Sequence, residues 1–176
     1  MTGAESPATS ILGSIMSTQE PAANVTSTLW YYTTVKKLDE VVRQGEIRPA
    51  KTGLSKGEKP AVWFSANPEW EPAANEPWES PDGTIERLNK DQTFVLGGGL
   101  ARIGVGRDVA PHDWKAFKRL SGISSKMAKE LYQAAISAGS RPVQWFATFE
   151  TVPRSSWLSI EVLEGEQWIV SREHSP

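Results

Sequence analysis

The chain contains no cysteine, which excludes a disulfide framework and thiolate catalysis and removes the thiolate ligands of most structural zinc sites. Histidine is nearly as scarce. His112 and His174 are too few and too far apart for a histidine-based metal centre, so no metal is expected. Neither sign of charge is in large excess: 19 basic and 21 acidic residues leave a formal net charge of −2. Nothing in that total supports tight nonspecific hold on a phosphate backbone, although local patches stay open. Long apolar runs are missing too. No stretch approaches the roughly 18 residues of a membrane span, and "SILGSIM" near the start lacks the basic flank of a secretory signal. A cytoplasmic protein without membrane attachment is the expectation.

What is present fits one globular domain: 176 residues, 39% of them apolar, are enough for a core of ordinary size. Residues 1–26, rich in Ser, Thr, Ala and Pro and without sustained periodicity, are expected to form a disordered leader in which Met16 is a second candidate start. Residues 27–173 are expected to form the domain. "LWYYTT" (29–34) reads as a strand with Leu29, Tyr31 and Thr33 on one face. Val35, Leu38, Val41 and Val42 then recur at helical spacing, and Gly45 sits where a left-handed cap falls. "AVWFSANP" is a second strand, ended by Asn67 and Pro68. Residues 66–91 carry four prolines and several acids and read as a long excursion with one helical turn, a length more often functional than accidental.

Further on, "QTFVLGGGLARIGVG" suggests two strands, 93–96 and 100–105, joined by Gly97, Gly98 and Gly99. Asp113 reads as the N-cap of a helix lined by Trp114, Phe117 and Leu120, and a further helix covers 125–138. "VQWFATFE", "WLSIEVLE" and "QWIVS" return to strands. About three helices with six or seven short strands give an α+β class. The triple glycine fails as a phosphate loop, because no Gly-Lys-Ser/Thr follows and the next stretch reads as a strand, so a plain turn or bulge is expected. No Ser/His/Asp arrangement stands out. Eight tryptophans exceed what a core of this size needs; most pack in the core and at its rim, and two are available to line a ligand site.

Two stretches, "LWYYTT" and "AVWFSANPEW", resemble the ADP-ribosyltransferases, the superfamily of poly-ADP-ribose polymerases and diphtheria toxin. That family carries Leu/Tyr-x-His-x-Thr/Ser on an early strand, a helix, a strand reading roughly Gly-Ile-Tyr-Phe-Ala/Ser, and a Glu near the start of a late strand. Leu29, Tyr31 and Thr33 match the first pattern, with Tyr31 in place of the His. Val62, Trp63, Phe64 and Ser65 match the second, with Trp63 in place of the Tyr. "VKKLDEVVRQGEIRPA" resembles the intervening helix and turn. For the third, "EGEQWIV" sets Glu164 and Glu166 before a short apolar strand, a stretch equally readable as a hairpin turn. The likeness is confined to about residues 28–75 and a loosely placed C-terminus. "AVWFSANPEWEPAAN" and "WFATFETVPRSSWLSIEV" also look like bacterial and phage proteins without an assigned activity, a likeness that carries no chemistry.

The resemblance implies a split mixed or antiparallel sheet, NAD as substrate, no metal, and transfer to a macromolecular target that is a protein rather than a nucleic acid. It implies a carboxylate near the ribose, Glu166 in the first place and Glu164 in the second, with the Tyr31 hydroxyl taking the bond the His makes to the ribose. The backbone after it, at Tyr32, would pair with the nicotinamide amide. Trp63 and Phe64 would wall the ring, Trp70 would act as a lid, and Ser65 and Thr33 would supply orienting hydroxyls. A binding protein without catalysis is the competing class. Its nucleotide site would be degenerate, and the acidic loop from Glu69 to Asp82, with Trp70 and Trp78 as anchors, would bind a partner protein.

Overall fold

A computed structural model describes residues 27–51 and 53–174. The expected leader and Met16 lie outside the described residues. The elements in chain order are β1 (Leu29–Thr34), α1 (Val35–Gln44), β2 (Glu46–Ile47), β3 (Val62–Ser65), β4 (Pro77–Glu79), β5 (Ile85–Arg87), α2 (Lys90–Gly97), β6 (Leu100–Val105), β7 (His112–Asp113), α3 (Trp114–Leu120), α4 (Ser125–Ser137), β8 (Trp145–Thr148), β9 (Val152–Pro153), β10 (Trp157–Glu164) and β11 (Gln167–Val170). Seven strands join in the order β11-β10-β6-β1-β3-β8-β7, with every neighbouring pair antiparallel. β2 with β9 and β4 with β5 make two short ribbons. The class is α+β, with four α-helices among the described residues where about three were expected.

The fourth helix is α2, and it corrects the strand expected at 93–96. Phe94, Val95 and Leu96 suit a strand by propensity, but the flanking residues decide otherwise. Asn89 and Gln92 close a reciprocal capping box at the helix start, and Gly98 at φ 68° takes the left-handed cap, its N–H directed at the carbonyls of Phe94 and Val95. The triple glycine is therefore a helix end leading into a strand. α1 forms as its periodicity predicts. Leu38 is buried, and the N–H of Gly45, at φ 72°, donates to the carbonyls of Val41 and Val42.

One junction of the sheet differs from the others. β1 and β6 are registered over six residue pairs and β3 and β8 over four, but β1 meets β3 at the single pair Trp30↔Ser65. Beyond that point the four strands β11-β10-β6-β1 and the three strands β3-β8-β7 part. On one face α1 covers a core of Leu29, Leu38, Phe64, Ile103 and Ile160, where each large side chain contributes about 1.5–3 kcal/mol by leaving water. Trp114, Phe117, Ala128 and Trp145 form a second core under α3 and α4, and Tyr32, Trp70 and Leu100 a third. Among the described residues no helix is long and apolar enough to cross a membrane.

Candidate functional site

A cavity of about 300 Å³ opens where β1 and β3 part. Tyr31 and Tyr32 form one lip and Trp63, Phe64 and Ser65 the other, with the Tyr31 and Phe64 ring centroids 6.1 Å apart. Trp63 is fixed as a wall by Phe117 behind it, 4.3 Å between centroids. Leu131 of α4 and Trp145 of β8 complete the apolar side. The Trp145 indole nitrogen is sealed from solvent and has no acceptor among the described residues, so the surface that ring gives the cavity is carbon.

The polar groups of the cavity come from the segment after β3. Glu71 is buried, and its carboxylate accepts from Ser65 Oγ at 2.8 Å, from the Ala73 N–H at 3.2 Å and from Ser140 Oγ. It thereby caps the 3₁₀ turn Pro72–Ala74 and ties the end of β3 to the chain beyond α4. Arg87, exposed on β5, reaches the same cavity and donates from Nη1 to the carbonyls of Ala73 and Asn75, 2.9 Å each. One carboxylate and one guanidinium thus sit in a mostly aromatic and apolar cleft, the usual composition of a small-molecule site.

The two tyrosine hydroxyls do different jobs. Tyr31 lines the cavity without a hydrogen bond among those made by the described residues, and burial, helped by the nearby Glu76 charge, pushes its pKa up. It is a donor held protonated. The Tyr32 hydroxyl donates to the Asn67 carbonyl at 2.5 Å, and its pKa is pushed up to about 12, chiefly by burial and against the lowering influence of Arg102. Above pH 10 the folded chain keeps this proton and the unfolded chain releases it, so the folded state binds more protons and stability falls as pH rises from 10 towards 12. Urea denaturation across that window is expected to show a loss on the order of 2 kcal/mol from this group, and Tyr32→Phe to remove that share while the loss from Tyr31, whose pKa burial also raises, persists.

Comparison with protein-family models, curated proteins and solved structures returns no match.

The cavity brings together Tyr31, Tyr32, Trp63, Phe64 and Ser65 from the sequence expectation and leaves out four residues. Thr33 is buried and does not line it. Trp70 is no lid: it is buried edge-on against Tyr32 at 5.1 Å between centroids, and its indole N–H donates to Asn75 Oδ1 at 2.8 Å, so it holds the loop down. Glu164 ends β10 and Glu166 sits in the turn to β11, both exposed, as the hairpin alternative has it. Glu166 lines a different cavity, of about 620 Å³, with Glu69, Lys90 and Trp168. Tyr32 faces the first cavity and Trp168 the second, their rings 5.8 Å apart, so an aromatic layer separates the two.

Sequence reasoning missed Glu71, Arg87, Leu131 and Trp145. A Glu before Pro72 is a legible turn cap, and that signal marks Glu71 as structural without showing that it lines a cavity. Leu131 has the helical spacing of an inward position on α4, yet it is 39% exposed and reaches the cavity from its rim. The sequence did not show that the space beneath it is partly open.

Proposed function

We propose that this protein is an NAD-dependent ADP-ribosyltransferase-like enzyme acting on a macromolecular target that is a protein, with the cavity at the sheet split as its site. The supporting observation is that "LWYYTT" and "VWFS", the stretches that carry the family resemblance, face each other across the gap between β1 and β3 and line one cleft. A cavity of about 300 Å³ has room for one flat ring and its sugar. The remainder of a dinucleotide would extend along the open side, where Arg87 keeps Nε and Nη2 free of the bonds made by the described residues, a fork suited to phosphate.

Cleavage of the nicotinamide–ribose bond builds positive charge on the sugar, and a fixed carboxylate beside it lowers that barrier. In this cavity the carboxylate is Glu71, already oriented by three donors. Tyr31 supplies a donor hydroxyl and Trp63 a ring surface for stacking. Ser65 is committed to Glu71 and acts by positioning it. A binding protein without catalysis is favoured by one observation: Glu164 and Glu166 stand outside the cavity.

Incubation with NAD is expected to release nicotinamide and to raise the melting temperature, and Tyr31→Phe to reduce both with little change in the unliganded protein. Turnover lost in Glu71→Gln and kept in Glu166→Ala assigns the carboxylate role to Glu71; the reverse returns it to the β10–β11 turn. A melting shift without nicotinamide release supports the binding protein. The absence of both release and shift overturns the NAD site.

A further inference from the structure

α2 packs its small residues inward and its large ones outward. Its buried residues are Thr93 and Gly97, one turn apart, and a Cβ on Gly97 would lie 2.3 Å from Thr34 Cγ2, so the helix lies against β1 with no room for a side chain there. Phe94, Val95 and Leu96, between them, are exposed, Val95 at 78%. Beside α2 stands the β4–β5 ribbon, exposed at all six residues, which holds Trp78 and Ile85 in solvent. Trp78, Leu88, Val95 and Leu96 line a shallow groove of about 540 Å³ between the two elements. A two-stranded ribbon is marginally stable in water by itself, and a contiguous apolar surface of this kind marks an interaction site.

Charge identifies what covers it. Residues 76–96 carry five acidic and two basic side chains; from α1, Lys37 pairs with Glu76 at 2.7 Å, and Lys36 donates to the carbonyl of Leu96, which among the described residues leaves Glu79, Asp82, Glu86 and Asp91 without a lysine partner there. Of the bases, Arg87 is turned to backbone carbonyls and the split cavity, and Lys90 lines the cavity beyond α2. The charged residues that line the groove itself are Glu86 and Asp91. Such a surface repels nucleic-acid phosphates and anionic lipid and attracts cationic side chains. We propose that the groove between α2 and the β4–β5 ribbon docks a basic amphipathic segment of a partner protein, its apolar residues packing on Trp78 and Val95 and its Lys or Arg residues pairing with Glu86 and Asp91. Since Arg87 of the same ribbon lines the split cavity, the docked segment lies beside the mouth of that cavity. That the partner is the acceptor of ADP-ribose rests on the transferase proposal; the docking does not.

The experiment titrates the full chain, without NAD, with an amphipathic helical peptide of about 14 leucine and lysine residues and with its leucine–glutamate counterpart, following binding by calorimetry. The lysine peptide is expected to bind, to weaken with added salt, and to lose about tenfold or more in affinity with Trp78→Ala and with the double variant Glu86→Lys, Asp91→Lys; the glutamate peptide is expected not to bind. Absence of binding by the lysine peptide, undiminished binding by Trp78→Ala, or equal binding of the glutamate peptide overturns the proposal. So does a wild-type dimer in sedimentation that Val95→Asp converts to monomer, because the groove then belongs to a second copy. Failure of NAD turnover leaves each of these outcomes unchanged.

Discussion

Glu71→Ala is expected to cost about 3 kcal/mol or more of folding stability and to abolish nicotinamide release. The carboxylate occupies a buried position where Ser65 Oγ, Ser140 Oγ and the Ala73 N–H all donate to it. Truncation leaves two buried hydroxyls, Ser65 and Ser140, and the part-buried Ala73 N–H without their acceptor, and each buried polar group so orphaned costs about 1–3 kcal/mol. A water entering the vacated space would recover part of that, which keeps the expectation near the lower end of the sum. The partners come from three places, the end of β3, the turn at Pro72–Ala74 and the segment following α4, so losing the anchor also loosens the wall that α4 lends to the cavity. Glu71→Gln separates structure from chemistry. Its amide oxygen still accepts from Ala73, the serine hydroxyls can rotate to accept from the NH₂, and the expected cost falls to about 1 kcal/mol. A folded Glu71→Gln protein that binds NAD and releases no nicotinamide is the expected result, read by urea denaturation and turnover together. Full turnover in Glu71→Gln would reduce Glu71 to a structural cap.

Much of the fold was legible because local signals agreed. In α1 the apolar spacing and Gly45 both pointed to a helix, and in α3 the Asp113 cap, whose side chain accepts from the Ala116 N–H, agreed with the spacing of Trp114 and Phe117. At α2 the signals conflicted. Phe94–Val95–Leu96 has the propensity of a strand, while the Asn89/Gln92 box and Gly98 cap it as a helix, and the caps prevailed because Gly97 had to sit against Thr34. The site was half legible for a similar reason. Tyr31, Trp63 and Ser65 lie on strands whose alternation can be read, whereas Glu71 reaches its partner Ser140 across 69 residues, a closure that no local pattern records. The exposure of Glu164 and Glu166 follows from Gly165, at φ 63°, which makes their stretch a tight hairpin turn.

Arg102→Met is expected to be as damaging as the loss of Glu71, although Arg102 touches neither cavity. The guanidinium is buried beside β1, with Nε 2.7 Å and Nη2 2.6 Å from Glu161 Oε2 on β10, and Nη1 donates to the Pro68 carbonyl. Its central carbon lies 3.6 Å from the Trp30 ring centroid and 4.4 Å from that of Trp168. Methionine fills the space but leaves Glu161 buried without its cation, and breaking such a pair costs about 3–5 kcal/mol. That corresponds to a fall in melting temperature of about 10 °C for a domain of this size. Adding Glu161→Leu removes the stranded charge and should restore most of the stability. The cation–π contacts with the two tryptophans stay lost, a further cost of about 1–2 kcal/mol. The double variant also separates stability from function. Trp30 lines the split cavity and Pro68 begins the segment that carries Glu71, so a refolded double variant should still show a smaller NAD-dependent melting shift than wild type. An Arg102→Met single variant within about 1 kcal/mol of wild type would mean that desolvation already cancels the pair, and that Trp30 is held by the sheet alone.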